Sequence, residues 1–558
     1  MKRRFVPGES DEPSPTDSDE DREDGSDGGG AGTAPRADGD NTSVADGERG
    51  ETDTDDIVRS LGKSGAVVFL GTFLELGIAL FAKLLIAREL APGNYGEVTV
   101  GLTILTVTAI VSRLGFDTGI PRNAPRYEKA DRRGVFVSAL QLNVLVSVSL
   151  AVGLFLTAGP LADFLNNSQL RPVLRVISVG VPAIPLMRVS LSGTQAVGRS
   201  SPKVIVQNLT HPLTRIALVS AVVVFGASPV LVAGAYVASN WAGALAALYF
   251  LIRYTPILNG ATGWTPKYRE MLVFSLPLMA TTGLSFILGN TDTLMLQYLQ
   301  GSVDVGVYDI GYTIAQMLSV GLGSLSYLFL PNISDLHAEE RWTEIIHLYK
   351  LVTKWIAFVT VPPYLIVTYF PERVISVFGS EYVDGSIYLV ILASSYFVMA
   401  VSGPNKRALS AFGETRYILY VNIFTAGLNV ILNLTLIVAI GTVGAAIAST
   451  ISLVAVHILY CYRLYSAYDI TPFSWSLSKP LIPYLLATAV AYVGVQQTIG
   501  RLSLAGIVGL VAVAAIVYGI AILSLGGLQE DDVMLVRSAE QSLVVDLEPV
   551  KRLTRQFM

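Results

Sequence analysis

Residues 290–314 read NTDTLMLQYLQGSVDVGVYDIGYTI and close an apolar run that starts near residue 270. A run of that length crosses the ~30 Å hydrocarbon core of a bilayer as a helix. Asp292 sits about seven residues inside its end, roughly 10 Å deep at ~1.5 Å rise per residue. An acid at that depth is costly, so it faces a wet cavity or a protein partner rather than lipid. Gly301 then interrupts the run, and a second apolar segment carries Asp309. The stretch reads as the junction of two membrane-spanning helices with polar residues turned inward.

The rest of the chain repeats this pattern. Hydrophobic residues make up 52% of its 558 positions and charged residues 15%, where a soluble domain carries roughly 25% charged. Fourteen spans are predicted, near 62–87, 96–114, 134–159, 172–191, 204–226, 229–252, 270–298, 304–330, 351–371, 386–410, 416–440, 443–466, 480–500 and 503–526. The expected fold class is all-α and polytopic, because only helices or closed barrels satisfy the backbone in lipid. No segment reads as a cleavable signal. One cysteine, Cys461, lies in a predicted span, so no disulfide framework is expected.

Residues 1–56 hold 18 Asp/Glu against 6 Lys/Arg, a charge of −12 in a chain of net −5. Such a segment buries too little apolar surface to offset its ordering entropy and is expected to be disordered. A high-salt environment and a regulatory role would both suit it. The predicted organisation is a tail (1–56), a six-helix lobe (57–253), a linker (254–270), a second six-helix lobe (271–468), two further helices (469–526) and a C-terminal tail (527–558).

Loop charge sets orientation. Loops after even-numbered spans carry seventeen Lys/Arg and those after odd-numbered spans four. Both termini and the even loops are therefore expected in the cytoplasm, with the chain multi-pass in the cell membrane. The most basic loop, RNAPRYEKADRR, offers Arg122, Arg126, Lys129, Arg132 and Arg133 as a topology anchor or as lipid-headgroup contacts.

Two halves of the chain echo each other at a spacing of about 210 residues. ARELAPGNYGEVTVGLTI (87–104) parallels residues 296–314, with Gly96 over Gly306 and Gly101 over Gly311. VQNLTHPLTRIALV (206–219) parallels YVNIFTAGLNVILN (420–433), with Asn208 over Asn422 and Arg215 over Asn429. The paired spans run in the same direction, so the repeat is parallel, about an axis along the membrane normal.

KLLIARELAPGNYGEV, the opening stretch, and ALSAFGETRYILYVNIFTAGLNVILNLTLIVAIGTVGAAIAS together resemble the polysaccharide-biosynthesis flippases (Wzx-type). These belong to the multidrug/oligosaccharidyl-lipid/polysaccharide exporter superfamily. The resemblance covers roughly residues 62–526. It implies two six-helix lobes in a V around a central lumen, plus two C-terminal helices. It also implies a lipid-linked oligosaccharide as substrate, moved from the inner to the outer leaflet by alternating access.

A polyprenyl (dolichyl-type) phosphate or pyrophosphate sugar needs cations for phosphate and amides or hydroxyls for sugar, inside the membrane and facing water. The fifth span supplies Gln207, His211 and Arg215 at i, i+4 and i+8, with Asn208 beside them, a spacing that makes one helix face. Arg215 lies roughly 16 Å deep at ~1.5 Å per residue, either facing the lumen or paired with a carboxylate such as Glu75. Asn422, Asn429 and Asn433 form the matching stripe on the eleventh span, read as sugar contacts or as interhelical hydrogen bonds. Asn290 and Asp292, with Asp309, Tyr312 and Gln316 on the eighth span, are read as an outward-opening lumen wall or as a brace within the second lobe. Lys83 and Arg88 are expected to snorkel to headgroups. Glu75, near the centre of the first span, is protonated, paired or part of an ion-coupling site.

The sequence holds no P-loop, no HExxH and no Cys/His cluster with metal spacing. No catalytic residue, metal or cofactor is expected, and no enzyme activity. A multidrug/cation antiporter of the same superfamily is the alternative, and a membrane enzyme of glycan assembly a distant one. Expected partners are the lipid-linked oligosaccharide and membrane lipids, with a coupling ion left open, no nucleic acid, and a monomeric chain.

Overall fold

Backbone in lipid must close its own hydrogen bonds, and the apolar segments do so as helices. The computed structural model describes residues 76–123, 129–199, 201–255 and 265–498, with 513, 517 and 518. All of these belong to one compact unit, Thr52–Met558. The first set of helices is α1 (76–89), α2 (Pro92–Arg113), α3 (Phe116–Asn123), α4 (Lys129–Phe164), α5 (Leu170–Gly180), α6 (Ala183–Ala196), α7 (Ser201–Val204), α8 (His211–Phe225) and α9 (Pro229–Tyr254). The second is α10 (Tyr268–Leu299), α11 (Ser302–Met317), α12 (Val320–Ala338), α13 (Trp342–Tyr369), α14 (Pro371–Ser376), α15 (Ser386–Val401), α16 (Asn405–Ala411), α17 (Thr415–Ile440) and α18 (Thr442–Tyr468), followed by α19 (Trp475–Thr498). Among the described residues, nine helical stretches are long and apolar enough to cross a membrane.

Among the described residues four predicted spans are not continuous α-helices; one of them, the tenth, breaks at Ser402–Pro404 between α15 and α16. The fourth breaks between α5 and α6 at Pro182, which lacks a donor. The eighth breaks at Leu318–Ser319, just before Gly321 and Gly323. The fifth contains a π-helical turn, Ile205–Thr210, directly before Pro212. Most of the first predicted span, including Glu75, and most of the fourteenth lie outside the described residues.

Packing groups α1–α9 and α10–α18 into two lobes that meet most closely where α2 crosses α11. One continuous core there joins Ile86, Tyr95 and Val98 of the first lobe to Val305, Tyr308 and Leu389 of the second. Away from it, Met187, Val206 and Ala244 pack in the first lobe and Phe329, Tyr349 and Tyr460 in the second, while the start of α10 packs on the first lobe, Met271 sharing a core with Phe116, Ile120 and Val135. α19 docks on the flank of α13, where Leu481 and Tyr484 meet Phe358 and Leu365. Large apolar side chains stay exposed on α4 and α17, including Leu145, Leu156, Phe424 and Val438, as lipid-facing surfaces require.

The crossing rests on the repeat. Gly96 and Gly306, equivalent in the two halves, face each other where α2 crosses α11. A Cβ on Gly96 would lie 1.8 Å from the Ser302 carbonyl oxygen, and one on Gly306 would lie 2.1 Å from that of Pro92. Each glycine thus meets the carbonyl four residues upstream of its own counterpart. In lipid, helices associate through close van der Waals packing, which small residues permit.

Candidate functional site

The π-turn re-aims the start of the fifth span. The His211 N–H reaches the Val206 carbonyl five residues back, which adds a residue to that turn. Gln207 and Asn208, both half-buried, therefore lie on π-helical backbone, and the face expected from α-helical spacing is bent between Gln207 and His211. His211 and Arg215 remain one regular turn apart. An Arg215 terminal nitrogen (Nη2) lies 3.0 Å from His211 Nε2, and its guanidinium carbon 4.9 Å from the centre of the Tyr236 ring. Asn240 Oδ1 stands 2.8 Å from the same imidazole nitrogen. Arg188 of α6 lies within electrostatic reach of His211. Gly243 on α9 leaves room for the His211 side chain, whose Cβ is 3.5 Å from where a glycine Cβ would stand.

Arg215 is thus held by an imidazole and an aromatic face, neither of which neutralises its charge. Its Nε is buried and makes no hydrogen bond. A guanidinium so placed is positioned, weakly hydrated and free to take an anion by a two-pronged contact.

The second lobe builds the opposite arrangement around Asp292. This carboxylate is 3% exposed. Its Oδ2 accepts from the Tyr308 hydroxyl at 2.5 Å and from Ser449 at 3.2 Å, and its Oδ1 from the Thr293 N–H at 2.9 Å. The Asn429 amide reaches Ser449 Oγ at 3.5 Å, and Asn433 donates to Asn429 Oδ1 at 3.1 Å. A chain of hydrogen bonds therefore ties α10, α11, α17 and α18 together. Asn422 lies apart from it, half-buried, accepting from the Tyr460 hydroxyl at 2.9 Å.

Asp309 turns to the other lobe. Its Oδ2 takes the Lys83 ammonium at 2.7 Å and the Tyr95 hydroxyl at 2.6 Å, and Lys83 also reaches Thr313 at 2.7 Å. Arg88 donates to the Val377 carbonyl at 2.9 Å. These two side chains were expected at the headgroups, but the facing lobe offers acceptors closer than the interface. Nearby, Asn167 donates to Glu97 at 3.2 Å and to Ser302 at 2.8 Å. On α11, Gln316 is exposed, while Tyr312 stacks on Tyr308 at 6.2 Å between ring centres.

The remaining predicted residues are placed as follows. Asn290 sits half-buried on α10. Arg133 is half-buried at the start of α4, and Arg126 lies outside the described residues, as do the side chains of Arg122, Lys129 and Arg132.

Residues 61–337 match the family described as polysaccharide biosynthesis protein, and 277–435 match the MatE family. The architecture superposes on a lipid II flippase MurJ structure in an inward closed conformation with a TM-score of 0.65 and 12% identity, covering 86% of this chain and all of that one. The chain belongs to the multidrug/oligosaccharidyl-lipid/polysaccharide exporter superfamily. Among curated relatives, the "Probable low-salt glycan biosynthesis flippase Agl15" of Haloferax volcanii is 24% identical over 163 residues, 29% of this chain and 34% of that protein. Capsular polysaccharide biosynthesis protein CapF of Staphylococcus aureus is 23% identical over 218 residues, 38% and 54% of the two chains. The chain thus spans between a third and just over half of these relatives.

Tyr236, Tyr308 and Ser449 of this exporter, the partners that define the environments of Arg215 and Asp292, do not stand out in its sequence. No polar stripe marks them. Tyr308 carried a usable signal, lying in the repeated Gly-rich segment one residue before Asp309.

Proposed function

We propose that this exporter moves a lipid-linked oligosaccharide, carried on a polyprenyl phosphate or pyrophosphate, from the inner to the outer leaflet by alternating access. The observation that carries this reading is Arg215, a cation inside the fifth span with no carboxylate on it among the described residues. Phosphate is the part of such a cargo that most needs a cation in low-dielectric surroundings. In the orientation expected from loop charge the Gly96–Gly306 junction lies on the outer side, and release then requires that junction and the Lys83–Asp309 pair to part. The names of the glycan-assembly relatives favour this cargo over a drug. The MatE match favours antiport as the second reading, in which export would follow a cation gradient with no dependence on a phosphate-bearing lipid.

The test is surface delivery of glycan. Arg215→Ala should abolish it while the protein still accumulates and lipid-linked glycan builds up inside. Arg215→Lys should keep partial delivery, since a point charge still attracts phosphate. Normal delivery by Arg215→Ala would sink the phosphate site. Rescue of Arg215→Ala by Glu75→Ala would instead make Arg215 one half of a structural ion pair, because a lone buried charge is the costly state.

A further inference from the structure

The second lobe holds an open cavity of about 420 Å³, whose lining includes neither Arg215 nor the Gly96–Gly306 crossing. It is walled by α11, α12, α15, α17 and α18 and by the short α16, and its size falls in the ~300–1,000 Å³ range of small-molecule sites. Its described lining contains no Asp or Glu but two cations, Lys406 and Arg407 of α16. Both are exposed, and neither is held by a carboxylate among the described residues.

Neutral polar groups lie behind those cations. Ser326 is 4% exposed, and its Oγ makes no hydrogen bond. A buried hydroxyl in that state is unfavourable, and a ligand hydroxyl would relieve it. Asn405, 1% exposed, accepts the Lys406 N–H through Oδ1 at 2.7 Å and so turns its amide nitrogen to His457 Nδ1, 3.1 Å away. That bond makes Nδ1 the acceptor and leaves Nε2–H as a donor on a cavity-lining ring. Tyr396 and Leu392 add flat apolar surface.

We propose that this cavity binds an acidic sugar residue of the cargo, its carboxylate at Lys406 and Arg407 and its hydroxyls toward Ser326 and His457. The proposal rests on the reading of the cargo as an oligosaccharide and adds the chemical class of one of its sugars. Phosphate is the other anion that two cations hold. The neutral donors and the apolar surface behind them suit a ring-bearing acid better.

The test is binding of digalacturonate to the purified full chain in nanodiscs, followed by calorimetry, with maltose and inorganic pyrophosphate as the other probes. Digalacturonate should bind saturably, and K406Q with R407Q should weaken it about tenfold or more, as loss of charge-assisted bonds does. Maltose should bind more weakly and equally to both proteins. S326A, which removes only the hydroxyl and lies away from the cations, should weaken digalacturonate and maltose alike. Absence of digalacturonate binding, binding unchanged in K406Q/R407Q, or full displacement by pyrophosphate would overturn the proposal, the last outcome making it a phosphate site. Because no transport is measured, this result stands apart from glycan export by the Arg215 variants.

Discussion

Arg215 in α8 and Asn429 in α17 occupy equivalent points of the two repeats, yet their surroundings have diverged. Around Arg215 the first lobe leaves a cation with an imidazole, an aromatic ring and an unused Nε. Around Asn429 the second lobe closes a network of hydroxyls and amides onto the Asp292 carboxylate. Gly96 and Gly306, also equivalent, have kept matching roles and pack against each other. The joint between the lobes is built alike from both repeats, while their interiors differ. The physical reason is that a close backbone crossing has one solution, glycine, whereas a polar position inside a lobe can be satisfied in several ways.

The largest effect is expected at the joint. In a Cys461→Ser background, Gly93→Cys with Val303→Cys should cross-link readily, because a Cβ on Gly93 would lie 3.4 Å from the Val303 side chain. Adding Gly96→Val should reduce that cross-link at least about tenfold, since backbone cannot yield as a flexible side chain does. Undiminished cross-linking would show that the joint does not depend on the glycine pair.

Asp292 and Arg215 should separate on stability. Asp292→Ala strands the Tyr308 and Ser449 hydroxyls, at ~1–3 kcal/mol for each buried group left unsatisfied, and should lower the unfolding temperature markedly. Arg215→Ala loses mainly a ring contact, worth about 0.5–2 kcal/mol, and should fold nearly as well while failing to export. Equal destabilisation of both variants would mean that Arg215 is a brace like Asp292, and the contrast between the lobes would collapse.

The smallest effect belongs to Lys83. Its pair with Asp309 is partly exposed, with side chains 28% and 13% accessible, and such pairs contribute about 1 kcal/mol or less. Lys83→Gln should therefore lower the 93–303 cross-link only a few-fold. The Lys83→Gln/Asp309→Asn double variant should lose no more than the larger of the two single changes. Additive losses would mean the two residues act independently.

Much of the architecture was legible in the linear chain. Span length and charge scarcity marked the helices, and the offset of about 210 residues between equivalent glycines marked the two lobes. Pro212 was visible as well, but its consequence was not. A proline announces a break in α-helical bonding, and the neighbouring turns decide whether the chain kinks, ends or widens into a π-turn. The acid of the opening stretch shows the same limit: hydropathy and depth said that Asp292 needs company, without naming Tyr308 and Ser449.

By itself, then, the sequence determined which segments enter the membrane, that they form two related lobes, and which positions must not face lipid. Those properties follow from local composition and periodicity, because each residue's transfer energy and its place on a helix face depend on the residues within a turn or two. Only the tertiary structure decided that Lys83 reaches Asp309 across 226 positions, that Arg215 lies on a tyrosine ring while Asp292 is sealed among hydroxyls, and that Lys406 and Arg407 line a cavity of the second lobe. Such choices depend on which helix lies opposite and how closely it can approach. That is set by the packing of all the helices at once, and no spacing along one of them encodes it.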